Sequence, residues 1–221
     1  MELLSVGRAR ATWIFDVNDL NPRGKTIFPA LIDALKENYA FSVFPKSPAD
    51  VDENKGLSFT QGSFKVQEKI SLHVELTVFS DGFAANSYSS TMDTEKFLED
   101  VLTFASREFH LPYSAEMIRR KIVLSEVVVR LDGTMAKINP KLNDFRAKVS
   151  EAYKQMGMPS QELRGISFWS DPTQAVVMPA NFTIEHKLGA PFSENRYYSK
   201  ASLHTDKHLK LINDFEQSLM K

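Results

Sequence analysis

The feature that most constrains this chain of 221 residues is its hydrophobic pattern, which passes twice through the same order of strand and helix periodicities. Residues 71–78 alternate polar and apolar side chains, which is typical of a strand buried on one side. Residues 93–109 carry apolar side chains three and four positions apart, as an amphipathic helix does. Each half of the sequence is therefore predicted to contain a strand, a helix, three or four strands and a final helix.

The predicted strands are short, and tight turns such as Asp81-Gly82 connect them. Such connections favour antiparallel pairing, because parallel strands need a long crossover. Antiparallel sheets commonly have one face packed on the core and the other in solvent. We predict an α+β fold with a mainly antiparallel sheet and helices on one face. Residues 1–110 would form a first β-α-β(4)-α unit and residues 111–221 a second β-α-β(3)-α unit, packed as one compact body.

Two of the predicted helices carry similar apolar stripes. The helix predicted after Pro140 is ended by Gly157 and Pro159. Its apolar residues recur three and four positions apart, as do those of the helix predicted to begin near Pro29. We expect both stripes to pack against the sheet. The stripe of the later helix consists of Leu142, Phe145, Val149, Tyr153 and Met156.

The two halves are most alike where the strands lead into the final helix. Tyr88-Ser89 and Thr94-Glu95-Lys96-Phe97-Leu98 align with Tyr198-Ser199 and Thr205-Asp206-Lys207-His208-Leu209 when one residue is inserted. This recurrence predicts an internal duplication, although α+β chains also repeat such element orders by chance. The element order is similar to that of the saddle of TATA-binding proteins, but the sequence carries no motif of that family.

Composition and charge exclude several classes of protein. The absence of cysteine excludes disulfides, thiolate metal sites and cysteine nucleophiles. No apolar run reaches the roughly 18 residues of a membrane-spanning helix, and the N-terminal residues do not form a secretory signal. We therefore predict a cytoplasmic protein with no membrane partner. Residues 1–110 have a net charge of −5 and residues 111–221 a net charge of +4, a polarity that can steer head-to-tail contacts between copies.

Each catalytic pattern in the sequence lacks a required member. Asn21–Thr26 has Asp19 where a phosphate-binding loop needs a glycine, so these residues predict a turn. Asp16 and Asp19 end a strand, but Asn18 occupies the place of the second acid of an aspartate-nucleophile phosphatase. Asp50–Lys55 packs its acids into a single loop, whereas nuclease metal sites separate them on adjoining strands. The sequence contains no cofactor motif, and we predict no cofactor.

Two histidines form the candidate metal site. His204 and His208 are four residues apart in the last predicted helix, so they would share a face and could hold one metal ion. A third ligand would come from Glu185 or His186 on a preceding strand. The alternative is an ordinary solvated helix surface.

The candidate binding residues are one basic cluster and one mixed segment. They are Arg119, Arg120, Lys121, Arg196, Tyr197 and Tyr198. Together they could supply charge and stacking to nucleic acid. Arginine and tyrosine equally anchor protein interfaces, and the third alternative is an exposed edge strand with ordinary aromatic residues.

The sequence as a whole predicts a non-catalytic protein that acts through protein–protein contact, as an assembly subunit with a protein partner or by self-association into an oligomer. Two alternatives stay open. One is nucleic-acid binding across the sheet of a duplicated fold. The other is a metal-assisted hydrolase or nuclease that uses Asp16 and Asp19, or His204 and His208.

Overall fold

A computed structural model describes residues 1–24, 28–46, 56–138, 140–171, 173 and 179–220. The acidic loop Asp50–Lys55 and the last two residues of the predicted turn, Lys25 and Thr26, lie outside the described residues. The helices and strands are β1 (Glu2–Ile14), α1 (Phe28–Tyr39), β2 (Leu57–Gln67), β3 (Ile70–Phe79), β4 (Gly82–Ser87), α2 (Thr91–Phe109), β5 (Arg120–Arg130), α3 (Pro140–Gln155), β6 (Gly165–Phe168), β7 (Phe182–His186), β8 (Arg196–Ala201) and α4 (Thr205–Met220). None of the described helices combines the length and the apolar character needed to cross a membrane.

The strands form an antiparallel sheet in the order β2-β3-β4-β1-β5-β8-β7-β6. This sheet and the helices make an α+β fold, which confirms the predicted fold class. Along the described part of the chain, a strand, a helix, three strands and a helix occur twice in succession. Element order alone does not test a common origin, so the internal duplication stays a prediction.

The chain divides into two compact units. The N-terminal unit comprises Val6–Ser125 with Leu203–Thr205, and the C-terminal unit comprises Met1–Ser5, Glu126–Ser202 and Asp206–Lys221. Strands β1 and β5 contribute residues to both units. The predicted boundary at residue 110 separates the two repeats of the element order, not these two compact units, and it stays a prediction.

The N-terminal unit has a continuous hydrophobic core. Ala11 and Trp13 of β1 are buried there, as are Leu35 and Tyr39 of α1. The Tyr39 ring packs edge-on against Phe97 of α2, with 5.2 Å between the ring centroids. Both helices therefore pack on the same face of the strands.

One glycine of β2 makes this packing possible. A Cβ atom on Gly62 would lie 2.3 Å from the nearest atom of the Phe41 ring, which is far inside van der Waals contact. The ring also packs against Phe59 of the same strand, with 5.3 Å between the centroids. The absence of a side chain at Gly62 thus lets Phe41 lie directly on the strand.

The C-terminal unit has a core of its own, assembled from strand and helix residues that are all buried. These are Val127, Val129, Leu131, Met135, Ile184, Tyr197, Ala201, Ile212 and Leu219. Helix α4 also buries Glu216, whose carboxylate accepts the Asp132 backbone N–H at 2.8 Å and contacts the Met1 ammonium. The bond to Glu216 raises the pKa of that ammonium group. A buried carboxylate of this kind is tolerated because its oxygens are hydrogen-bonded.

Candidate functional site

Helix α3 of the C-terminal unit is attached along one side to the chain that leads into β6. The Ser150 hydroxyl donates to the Gln161 carbonyl and accepts the Gln161 N–H, both at 2.9 Å. One turn earlier, the Arg146 guanidinium lies 2.6 Å from the Glu162 carboxylate. These contacts hold α3 in place through polar groups.

The apolar stripe of α3 faces solvent, contrary to the expectation that it packs against the sheet. Phe145 is 65% exposed and Met156, just beyond the helix, is 71% exposed. Leu142 and Tyr153 are also exposed, and Val149 is half-buried. We call the surface formed by Leu142, Phe145, Tyr153 and Met156 the α3 face. Periodicity identified these residues as one side of a helix, but it does not specify what that side contacts.

Exposed apolar residues are concentrated in the C-terminal unit. Among the described residues, 12 of the 16 exposed large hydrophobic side chains belong to it. Phe168 at the end of β6 and the adjacent Trp169 are two of them. The Trp169 ring is oriented by a hydrogen bond from its Nε1 to the Ser167 hydroxyl at 3.0 Å.

Charged residues are distributed unevenly around the α3 face. Lys141 and Lys148, both exposed, lie four residues before and three residues after Phe145, so they flank it on the helix surface. Asp144 and Glu151 lie on the side of the helix away from Val149. The border of the apolar surface is therefore basic.

No protein-family model matches this chain. No curated protein matches its sequence either.

The predicted basic cluster lies at the start of β5 in the N-terminal unit. Arg119, Arg120 and Lys121 are all exposed. The Arg119 backbone N–H donates to the Ile14 carbonyl at 2.9 Å. The Lys121 ammonium lies 4.0 Å from the centroid of the Trp13 ring, a cation–π contact. The structure thus gives Lys121 an intramolecular partner and leaves the cluster on the surface.

The second predicted segment, Arg196–Tyr198, is divided between the two faces of β8. Tyr197 is buried, its hydroxyl accepts the Met135 N–H at 3.3 Å, and burial raises its pKa. Tyr198 is half-buried, and the Arg196 guanidinium lies 2.8 Å from the Glu194 carboxylate. Successive residues of a strand point to opposite faces, so Tyr197 contributes to the core while Arg196 and Tyr198 share the other face.

The two histidines of the predicted metal site have different surroundings. His204 precedes α4, and its Nδ1 lies 3.3 Å from the Thr91 hydroxyl and 3.6 Å from the Glu95 carboxylate. His208 lies inside α4 and is fully buried, with its Nε2 2.8 Å from the Ser199 hydroxyl. In the described ranges, no group of three or more His, Cys, Asp or Glu residues is arranged to hold a metal ion.

Hydrogen bonding defines the protonation of His208. The Ser199 hydroxyl donates to the Thr183 carbonyl at 2.6 Å, so it accepts from His208 Nε2–H. The other nitrogen, Nδ1, is then unprotonated, and it is buried without a hydrogen-bond partner. Burial lowers the pKa of His208 to about 4, because a charged imidazolium would lose its hydration there.

Asp16, a candidate for metal-assisted catalysis, caps the turn that follows β1. Its carboxylate accepts the Asn18 N–H at 3.0 Å, as Asx residues commonly do in turns. Asp16, Asp81 and Arg119 line a cavity of about 290 Å³, and Asp19 is not among the residues that line it. The structure thus brings Asp16 close to Arg119 but not into a paired-acid site with Asp19.

Proposed function

We propose that the protein is a non-catalytic interaction module whose C-terminal unit binds a partner protein through the α3 face. The observation that carries this proposal is the exposure of the apolar stripe of a helix that Ser150 and Arg146 hold in place. Fully burying a large apolar side chain contributes about 1.5–3 kcal/mol, so a partner that covered Phe145 and its neighbours would gain substantial free energy. Contiguous apolar surface with a polar border is typical of interaction sites.

The partner that fits this surface is an acidic amphipathic helix of another protein. An apolar helix face is commonly recognised by a second helix with anchors three and four residues apart. Lys141 and Lys148 border the surface, and acidic residues beside the partner's anchors would complement them. A second copy of α3 would place lysines opposite lysines, and like charges in an interface reduce affinity.

The direct test uses a designed helical peptide of about 18 residues, with a leucine stripe flanked by glutamates, in a fluorescence anisotropy titration. A peptide with lysines in place of the glutamates serves as the charge control. We expect the acidic peptide to bind and Phe145→Ser to weaken binding about tenfold, because aromatic anchors carry much of the binding energy. Met92→Ser, at an exposed apolar residue of α2, is the matched control and leaves binding unchanged.

Two outcomes would overturn the proposal. Equal binding of the acidic and basic peptides would remove the charge argument, and equal binding by the Phe145→Ser variant would remove the α3 face. The molar mass in solution tests the other occupant. A dimer that Phe145→Glu dissociates would show that a second copy covers this face.

We further propose that the chain acts in the cytoplasm and that its two runs of elements arose by duplication. The cysteine-free composition supports the first proposal. The repeated order of strand, helix, three strands and helix supports the second. Superposition of the two runs in an experimental structure tests the duplication, and imaging of the fluorescently tagged protein in its own cells tests the location.

A further inference from the structure

We infer that the N-terminal unit binds single-stranded nucleic acid on the sheet face opposite its helices, through Arg8, Arg10, His73 and Tyr88. We call this surface the arginine–tyrosine face. It is separate from the α3 face, and neither proposal depends on the other.

Strand alternation places the two arginines on the open side of β1. Ala9 and Ala11 are completely buried, and Ala11 belongs to the core beneath the helices. Because side chains alternate along a strand, Arg8 and Arg10 project from the opposite face. Arg8 is exposed and Arg10 is half-buried.

Strand register brings His73 and Tyr88 to the same face. Strand β4 lies between β1 and β3, and Asn86 pairs with Arg10 on one side and with Glu75 on the other. The amide of Asn86 donates to the Glu75 carboxylate at 3.1 Å, so both side chains lie on this face. Tyr88 is two residues after Asn86 and His73 is two residues before Glu75, so both follow the same alternation.

The two rings form an exposed stacked pair. Their centroids are 5.7 Å apart and their planes differ by 24°. Tyr88 is 59% exposed, and His73 is exposed as well. Unpaired bases stack on such rings without regard to sequence, whereas the bases of a duplex are already stacked on each other.

The arginines supply a second, independent feature that favours an anionic ligand. The Nε of Arg10 donates to the Thr12 hydroxyl at 3.4 Å, and no carboxylate pairs with Arg10 in the part of the chain that the structure describes. Burial, and to a lesser degree the neighbouring charge of Arg8, lower the pKa of Arg10. A phosphate bound at the Arg10 guanidinium would offset both costs through charge-assisted hydrogen bonds.

The remaining charges of the face fit the same ligand. Lys65 lies on β2, two residues from Ser63, which pairs with His73. Glu75, an acid that lies among these groups, is engaged by Asn86. Across the sheet, the two stacked rings therefore lie between Lys65 of β2 and the arginines of β1, and adjacent strands are about 4.8 Å apart. An acidic peptide would use the arginines but would leave the ring pair unused.

The test is fluorescence anisotropy with a fluorescein-labelled oligothymidylate of about 12 nucleotides, compared with a duplex of the same length. We expect the single strand to bind more tightly than the duplex. If two phosphates are neutralised, its affinity should fall roughly sevenfold between 50 and 200 mM salt. Tyr88→Ala should weaken binding about tenfold, and Tyr88→Phe should restore it because the ring is retained.

A pair of double variants locates the charges. Arg8→Gln with Arg10→Gln should flatten the salt dependence of binding, whereas Arg119→Gln with Arg120→Gln removes the same charge at the start of β5 and should leave it unchanged. Thermal unfolding checks that the variants fold. If the Arg8 and Arg10 variant does not fold, the comparison of Tyr88→Ala with Tyr88→Phe tests the inference. The inference is overturned if the oligothymidylate does not bind at low salt, or if Tyr88→Ala binds as tightly as the unsubstituted chain. It is also overturned if the Arg119 and Arg120 variant loses the salt dependence.

Discussion

Helices α1 and α3 carry the same hydrophobic spacing but have different surroundings. Leu35 of α1 is 3% exposed, whereas Leu142 of α3 is 40% exposed. Helix α1 packs against β2, a strand of 11 residues. The corresponding strand after α3 is β6, which has 4 residues and ends in the exposed Phe168. The comparison shows that periodicity specifies which residues share a helix face, while strand length and long-range pairing decide whether that face is covered.

The two units also differ in how they hold a buried serine. In the N-terminal unit, Ser87 lies 2.8 Å from the hydroxyl of Thr94, the fourth residue of α2. In the C-terminal unit, Ser199 lies 2.8 Å from the imidazole of His208, the fourth residue of α4. The first pair does not titrate in the physiological range, whereas the second contains a buried ionisable group.

The largest expected effect comes from the same substitution in both helices. Leu35→Ala should lower the free energy of unfolding by about 2–5 kcal/mol, because it leaves a cavity in a closed core. Leu142→Ala should lower it by less than about 1 kcal/mol, because the side chain is substantially exposed. Urea unfolding measures both values. Equal losses would show that the α3 face is covered in solution.

The next effect is a pH dependence that comes from His208 of the C-terminal unit. The folded pKa of His208, about 4, lies below the unfolded value of 6.5, so the unfolded chain binds more protons between these values. Stability from this group is complete above pH 6.5 and is lost as the pH falls to 4, by up to about 3 kcal/mol.

The variant His208→Thr places a threonine at the fourth residue of α4, as Thr94 is the fourth residue of α2. It therefore removes the contribution of His208 to the pH dependence of stability. Between pH 6.5 and 4, its free energy of unfolding should fall less steeply than that of the unsubstituted chain. Urea titrations at several pH values measure both slopes. His204→Gln, at a half-buried histidine outside α4, is the control for the removal of an imidazole. Parallel slopes for the His208→Thr variant and the unsubstituted chain would contradict the assignment.

Local patterns in the sequence were sufficient for most of the elements and for the fold class. The helix predicted over residues 93–109 is found at Thr91–Phe109, because its apolar spacing is a local property. The β-branched and aromatic side chains of residues 9–17 predict the first strand, but β1 begins at Glu2 and ends at Ile14. Gly7 and Arg8 weaken the hydrophobic pattern there, so pairing with neighbouring strands determines the extent of β1.

The candidate sites were less predictable, because they depend on register and on long-range packing. The alternation of side chains along β8 is a local signal that separates the buried Tyr197 from Tyr198. The meeting of Arg10 with Asn86, by contrast, depends on the register between β1 and β4, which no single strand encodes. The exposure of the α3 face likewise depends on the length of β6, which the spacing within the helix does not encode.

A smaller effect tests how α3 is attached. Ser150→Ala removes both hydrogen bonds to Gln161 and leaves the backbone groups of that residue without this partner. We expect a loss of about 1–2 kcal/mol, together with faster hydrogen exchange at the Gln161 amide. Arg146→Gln, which removes a partly exposed ion pair, should cost less than about 1 kcal/mol. Equal effects of the two substitutions would show that the serine is not the main attachment.

The smallest effect on stability should accompany a large change in binding preference. Lys148 is exposed and flanks the α3 face, so Lys148→Glu should change the free energy of unfolding by no more than about 0.5 kcal/mol. The same substitution places a negative charge beside the apolar stripe. It should weaken binding of the acidic peptide and strengthen binding of the basic peptide, because complementary charge at an interface border selects the partner. Lys36→Glu makes the same change on α1, whose apolar stripe is buried, and should leave the preference for the acidic peptide intact. If Lys36→Glu shifted the preference as much as Lys148→Glu, net charge would explain the binding and the difference between the two helices would not.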